Sequence, residues 1–330
     1  MPAGRDRHAT GCARRATVHR FRLAQRVALA RSSARPNYDW LVMASSPAPA
    51  VAVVTVSFGS SQVLESFLAS LSSASSIPLE IVIADNLQDD SAVARLASRY
   101  RATHLVMPSN VGYGSAINAA VESLPDSVEW ILVANPDLVM GDGSIDTMVR
   151  TAQADPLIAD VGPATLTATG DVYPSARAIP SLRTGIGHAL FFRVWPANPW
   201  SRAYLQDTSA QLRQRDTGWL SGACILVRRS TFADIGGFDS HYFMYFEDVD
   251  LGYRFGKRGY RNVYEPAATV THTGAHSTTS NAARMVAEHH RSAERFLRKK
   301  YSRPILWPIR FGLSLGLRVR SRLVQCRLDR

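Results

Sequence analysis

A chain of 330 residues can bury a sizeable core, in one large domain or two fused halves. Its formal charge of +11 is concentrated at the ends. Residues 1–42 carry nine Arg against Asp6 and Asp39, and residues 284–330 carry thirteen Lys and Arg against Glu288, Glu294 and Asp329. That leaves 16 basic and 22 acidic residues between them. An acidic centre excludes a phosphate-binding face across the body, so no nucleic-acid partner is expected.

Residues 1–42 contain neither Lys nor Glu and no apolar run of signal-peptide length. They fit a basic, disordered extension, and equally the upstream translation of GC-rich DNA with Met43 as the start. Cys12, Cys224 and Cys326 are odd in number and far apart. They give neither a disulfide framework nor a zinc pattern, and suggest a reducing cytosol. No stretch approaches 18 uninterrupted apolar residues, so no membrane span is expected.

Val51-Ala52-Val53-Val54-Thr55-Val56 predicts a strand buried on both faces. Val63, Leu64, Phe67, Leu68 and Leu71 follow at helical spacing. Leu79–Ala84, Thr103–Met107 and Trp130–Ala134 read as further strands, with helices near 91–100, 112–124 and 144–154. Alternating strands and helices predict a parallel sheet covered on both faces, with ligands beyond the carboxyl ends of its strands. From about 160 the pattern changes to short strands around 160–173 and 217–228, separated by a Pro/Trp-rich insert at 180–215. Helices at 230–235 and 249–257 and strands near 260–264 and 268–272 complete the body. The expected divisions are therefore 1–42, 43–160, 161–283 and a basic helical tail, 284–330.

Phe246-Glu247-Asp248-Val249-Asp250-Leu251 places three carboxylates within four residues, between Gly236-Gly237-Phe238-Asp239 and Gly259-Tyr260-Arg261. A carboxylate held there can take a proton from a sugar hydroxyl. Acids also favour the first turn of a helix, the plainer explanation. Asp85-Asn86 closes the second strand, where an acid can meet a base or ribose, or form an Asx turn. Asn110-Val111-Gly112-Tyr113-Gly114, with Asn118, joins a flexible loop to a helix start, suited to phosphate or to simple capping. Asn135-Pro136-Asp137 follows the most apolar strand, where Asp137 can hold Mg²⁺ or Mn²⁺ or form a β-turn. One Asp needs a second ligand, and His272 at a strand end is the candidate. There is no G-x-G-x-x-G after the first strand, no P-loop, no H-E-x-x-H and no G-x-S-x-G elbow.

In this order, and with Gly218-Trp219-Leu220-Ser221-Gly222-Ala223-Cys224, the segments resemble the family 2 glycosyltransferases, from about Val51 to Ser277. The resemblance implies an α/β GT-A (Rossmann-like) mixed sheet flanked by helices. The N-P-D and E-D-V-D-L forms are similar to the rhamnosyltransferase branch. That implies an inverting transfer of L-rhamnose from dTDP-L-rhamnose to N-acetylglucosaminyl-diphospho-decaprenol in cell-wall linker synthesis. Galactofuranose, mannose or glucose transfer to a lipid-linked glycan, or a non-catalytic nucleotide- or glycan-binding subunit, are the alternatives.

Carried over by position, Asp248 is the base and Glu247 its neighbour. Thr55, Ser57, Asp85, Asn110, Gly112, Asn135 and Asp137 hold the nucleotide sugar. Trp219, Ser221, Gly222 and Arg254 meet the acceptor, and Asp137 and His272 hold the divalent ion. Asn135 stands where the family's D-x-D motif has its first Asp, which removes one charge. A polyprenyl acceptor implies a peripheral enzyme on the cytoplasmic face of the plasma membrane. Pro304–Phe311 and Leu313–Leu317 offer apolar anchors, and Arg318, Arg320 and Arg322 offer charge for headgroups. These arginines do not share one helical face, so a solvated basic end is the competing expectation.

Overall fold

A computed structural model of the chain describes residues 50–88, 90–181, 195, 198–200, 212–274, 282–308, 310–316 and 318. Twelve strands follow in chain order: β1 Val51–Ser57, β2 Leu79–Asp85, β3 Thr103–Val106, β4 Trp130–Ala134, β5 Leu138–Met140 and β6 Ile158–Thr167. Then come β7 Val172–Tyr173, β8 Ala176–Arg177, β9 Arg215–Thr217, β10 Trp219–Leu220, β11 Cys224–Arg228 and β12 Arg261–His272. The helices are α1 Ser61–Ala74, α2 Ser91–Arg99, α3 Tyr113–Glu122, α4 Ser144–Gln153, α5 Arg229–Asp234, α6 Glu247–Lys257 and α7 Ala282–Lys300.

The main sheet runs β3-β2-β1-β4-β11-β6-β12-β5, with β7 on β6 and β9 on β12. β3, β2, β1 and β4 are parallel, as the alternation with helices predicts. β11 then pairs antiparallel with both β4 and β6, which makes the sheet mixed. The insert expected at 180–215 lies mostly outside the described residues. The two strands expected near 260–264 and 268–272 are one strand, β12, with a register shift between Glu265 and Thr269. Pro266 sits in that interruption, where its missing N–H leaves a ladder bond unmade.

Alternate residues of β1 serve two cores. Val51 and Val53 pack with Leu64, Phe67, Val93 and Met148 of α1, α2 and α4 on one face. Ala52, Val54 and Val56 pack with Ile117, Phe232, Leu251 and Phe255 of α3, α5 and α6 on the other. Each large side chain so buried contributes about 1.5–3 kcal/mol. This doubly covered sheet fixes where its strands end, and hence where ligands can reach the backbone.

Candidate active site

The parallel register aligns the carboxyl ends of the first strands: Ser57 lies opposite Asp85, and Thr55 opposite Ala134. Thr55 and Ser57 are fully buried, and among the described residues neither hydroxyl has a hydrogen-bond partner. Asp85 is also fully buried, but its carboxylate is satisfied. It accepts from the Leu87 N–H at 2.9 Å and the Asp90 N–H at 2.8 Å, and lies 3.0 Å from His104 Nε2. Those bonds fold the loop after β2 around Asp85, at the end of the strand.

Next to it, Asn86 Nδ2 donates to the Gly112 carbonyl at 3.3 Å, and exposed Asn110 accepts from the Gly112 N–H at 3.1 Å. Gly112 has φ 87°, and a side chain there would collide with the Phe243 carbonyl. Only glycine adopts this backbone without strain while letting the chain pass so closely. The helix it opens, α3, carries Tyr113, whose hydroxyl donates to the Gly222 carbonyl at 2.8 Å. Burial raises the Tyr113 phenol well above its ordinary pKa, helped by the charges of Glu247, Asp248, Cys224 and Asp137. The phenol therefore stays neutral, in the field of three separate acidic positions.

Asp137 follows β4. Its Oδ2 lies 3.0 Å from His272 Nε2 at the end of β12, and its carbonyl accepts from Thr273. The hydrogen bond to Asp137 raises the His272 pKa, against the opposing effect of burial. Among the described residues no third His, Cys, Asp or Glu joins them. One carboxylate and one imidazole suit a divalent ion that takes its remaining ligands from diphosphate oxygens and water, so the pair fits such an ion. Asn135 is tied by its backbone, its N–H donating to the Ala223 carbonyl at 2.8 Å.

The acidic segment begins α6 two residues earlier than its sequence suggests, so Glu247 and Asp248 occupy the helix's first turn. They are preceded by two consecutive aromatic residues in the left-handed region, Tyr245 (φ 67°) and Phe246 (φ 65°). Such backbone costs about 1–3 kcal/mol per residue and persists only where its surroundings impose it. Asp248 is half-buried, accepting from the Gly222 N–H at 2.9 Å and the Val249 N–H at 2.8 Å. Burial raises its pKa, while those two N–H groups and the Arg177 charge oppose the rise. Glu247 is 7% exposed, and its Oε2 has no partner among the described residues. Burial first, then the charge of Asp248, pushes its pKa up to about 8. With its pKa pushed up to about 8, Glu247 is the member of the pair that keeps its proton at neutral pH.

Trp219 backs this corner, 6% exposed, with its indole N–H donating to the Ala178 carbonyl at 3.1 Å. Gly252 lets α6 approach its backbone closely. Ser221 donates its N–H to the Ser175 carbonyl at 2.7 Å, which holds the turn that presents Gly222.

Arg254 is not brought to this corner. Its Nε donates to Asp250 Oδ2 at 2.6 Å and its guanidinium also reaches the Ile235 carbonyl at 2.9 Å. Asp250 is fully buried and bonded as well to Lys299 of α7, at 2.7 Å. Arg254 thus braces the far side of α6, because its i,i+4 partner draws it there. The start of the expected basic tail is likewise no loose end: Phe296 of α7 is fully buried between Phe246 and Tyr253. Asn118 serves the same framework, exchanging two hydrogen bonds with the Phe238 backbone at 2.8 and 3.0 Å.

Tyr113, Arg177 and Lys299 were not singled out by sequence reasoning. Tyr113 lay inside a motif read for its glycines, and its hydroxyl partner is 109 residues away. Arg177 and Lys299 carried no local signal at all.

A family model described as "Glycosyltransferase like family 2" matches residues 47–293. The N-acetylglucosaminyl-diphospho-decaprenol L-rhamnosyltransferase of Mycobacterium tuberculosis is 42% identical over 291 residues, spanning 83% of this chain and 94% of that protein. Rhamnosyltransferase WbbL of Escherichia coli is 26% identical over 260 residues, spanning 76% and 93%. Among solved structures, a mannosyltransferase from Pyrobaculum calidifontis in complex with GDP-Man and Mn²⁺ aligns with a TM-score of 0.53 at 16% identity, covering 84% of this chain and 72% of that one. GalNAc-T7 with UDP, GalNAc and Mn²⁺ also gives 0.53, at 12% identity, covering 74% and 48%. The structural likeness establishes the GT-A fold, and the sequence match with the strand-end geometry places this chain in the family 2 glycosyltransferases.

Proposed function

We propose that the chain is an inverting rhamnosyltransferase that moves L-rhamnose from dTDP-L-rhamnose to an N-acetylglucosaminyl-diphospho-polyprenol. The observation that carries this reading is that the turn bearing Asp137 adjoins the turn that holds Asp248: the Asn135 N–H donates to the Ala223 carbonyl, and the neighbouring Gly222 N–H donates to Asp248. The residue expected to serve the diphosphate and the expected base thus lie on neighbouring turns. The rhamnosyl group and the lipid-linked GlcNAc acceptor are those in the name of the 42% identical relative, and dTDP is proposed as the nucleotide that carries the sugar.

Asp248, anchored by the Gly222 and Val249 N–H groups, accepts the proton of a GlcNAc hydroxyl while that oxygen attacks C1 of rhamnose. The C1–O bond to the nucleotide breaks on the opposite side, and dTDP leaves with the bonding pair. Glu247, protonated, adds no second negative charge beside the base. Thr55 and Ser57 are unpartnered hydroxyls at the strand end where the nucleoside would lie, and the Asp85 and Gly112 loops close that side. Asp137 and His272 would hold a Mg²⁺ or Mn²⁺ ion, which when bound supplies charge neutralisation for the diphosphate.

A lipid-linked acceptor would bring the enzyme to the cytoplasmic face of the plasma membrane. Among the described residues no helix is long and apolar enough to cross a bilayer. Ile305, Trp307, Phe311 and Leu315 are instead exposed, at 83%, 62%, 64% and 53%. The last three recur at i, i+4 and i+8 within helical residues 307–308 and 310–316, forming one apolar stripe suited to lie in the interface.

A transfer assay tests the reading: dTDP-L-rhamnose against other nucleotide sugars, with GlcNAc-diphospho-polyprenol, with and without EDTA. Rhamnose transfer with inverted anomeric configuration is expected. Faster transfer from a hexose or galactofuranose donor would reassign the substrate, and donor binding without any transfer would reduce the chain to a binding subunit. Flotation with vesicles, comparing the full chain with one ending at Tyr301, tests the anchor. Equal binding by both would refute it.

A further inference from the structure

Along α7 lies an open pocket of about 690 Å³, lined by Asp239, His241, Arg291, Glu294, Arg295, Arg298, Lys299 and Arg318. Five of these side chains are cationic at neutral pH and two are acidic. The acids are already shared. Glu294 bonds both Arg298 at 2.7 Å and Arg318 at 3.0 Å, while Asp239 bonds Lys299 at 3.0 Å. Arg291 pairs outward with Glu288, and its side chain is 71% exposed. Arg295 lies over the Tyr242 ring with no carboxylate partner among the described residues. Arg291, Arg295 and Arg298 recur at i, i+4 and i+7, so their charges line one stripe of the helix.

Such a pocket holds surplus positive charge in fork-shaped donors, the geometry that matches phosphate. Its remaining wall comes from Arg318, a helical residue three positions after Leu315 of the exposed Trp307, Phe311 and Leu315 stripe. A phosphate entering this pocket would therefore sit beside side chains poised for acyl chains. We propose that the α7 pocket binds the phosphate headgroup of an anionic bilayer phospholipid, separately from the acceptor site. Lys299 lines the pocket and also bonds Asp250 of α6, so an occupied pocket adjoins the helix that bears Asp248. The proposal rests on the membrane placement given above.

Sedimentation of the full-length protein with vesicles, at physiological salt, tests it. One set is phosphatidylcholine alone, the other equal parts phosphatidylcholine and phosphatidylglycerol. Wild type is expected to prefer the anionic set. Arg291→Gln, on an exposed side chain that folding tolerates, should weaken anionic binding about fivefold, and Arg291→Gln/Arg295→Gln about thirtyfold, at the contribution of a basic residue near a charged surface. Arg291→Lys/Arg295→Lys should restore most of that loss. The distant pair Arg95→Gln/Arg101→Gln should change little.

Wild type that binds neither vesicle refutes the membrane placement itself, and the pocket with it. Anionic binding that is unchanged in the double variant, or lost equally in the distant pair, refutes the pocket while leaving the apolar anchor standing. Inorganic phosphate provides the last arm. If it raises the melting temperature of wild type but not of Arg291→Gln/Arg295→Gln, while vesicles bind all variants alike, the site takes free phosphate and the lipid assignment is wrong.

Discussion

Replacing Glu247 by Gln removes one buried proton while keeping the side chain's shape, and so isolates the most perturbed acid of the site. In the folded protein this carboxyl titrates at about 8, against 4.5 for the ordinary group. Above pH 4.5 the unfolded chain releases the proton while the native state keeps it. Wild-type stability therefore falls as pH rises, by about 1.4 kcal/mol per pH unit, until the native carboxyl ionises near pH 8. Between pH 4.5 and 7 the loss amounts to roughly 3 kcal/mol. Gln has no proton to lose, so the variant should gain on wild type by that amount over the same interval. Urea unfolding at pH 5, 6, 7 and 8 measures it. Parallel stability curves would show that Glu247 is charged in the native state, and its place as the member of the pair that keeps its proton would be wrong. Transfer activity at pH 7 should survive, because the group replaced is already neutral there.

Asp248→Asn should bind donor normally yet lose about 10²–10⁴-fold in kcat, the contribution of general-base assistance. Near-normal turnover would move that role to Glu247. Gly112→Ala should cost at least about 2 kcal/mol in thermal unfolding, since it combines a left-handed backbone with a clash against the Phe243 carbonyl. An unchanged melting temperature would show that the Phe243 loop yields easily. His272→Ala should raise the Mn²⁺ concentration needed for dTDP binding about 10–100-fold in a calorimetric titration, through loss of one of two protein ligands. An unaltered titration would leave His272 as a simple hydrogen-bond partner of Asp137.

The parallel half of the sheet was legible because each strand is a run of apolar residues ended by a polar break, with a 3.6-period helix following it. The strand ends at Asp85 and Asp137 could be located for the same reason. The antiparallel placement of β11 between β4 and β6 could not, since nothing in Cys224–Arg228 states which neighbours it takes. The three-residue strand β5 was too short to show periodicity. Within the site, Asp137 with His272 was anticipated from residue type at strand ends, and the two are hydrogen bonded. Arg254, read as meeting the acceptor or holding the acidic turn, is engaged by Asp250 of that turn, four residues before it on the helix. The left-handed pair Tyr245–Phe246 was invisible as well, since neither residue favours such backbone and only tertiary packing enforces it.

The ladder between β4 and β11 reaches right up to the loops that hold the reacting groups. Cys224 pairs with Ala134, and the Asn135 N–H bonds the Ala223 carbonyl one step further on. The turn offering its amide to Asp248 and the turn bearing Asp137 are thus stitched by main chain. The two ends of the reaction cannot be pulled apart or pressed together by a hinge at this seam. Any adaptation to a bulkier sugar must instead come from the rim, leaving the spacing between the turns of Asp137 and Gly222 as a fixed property of the scaffold.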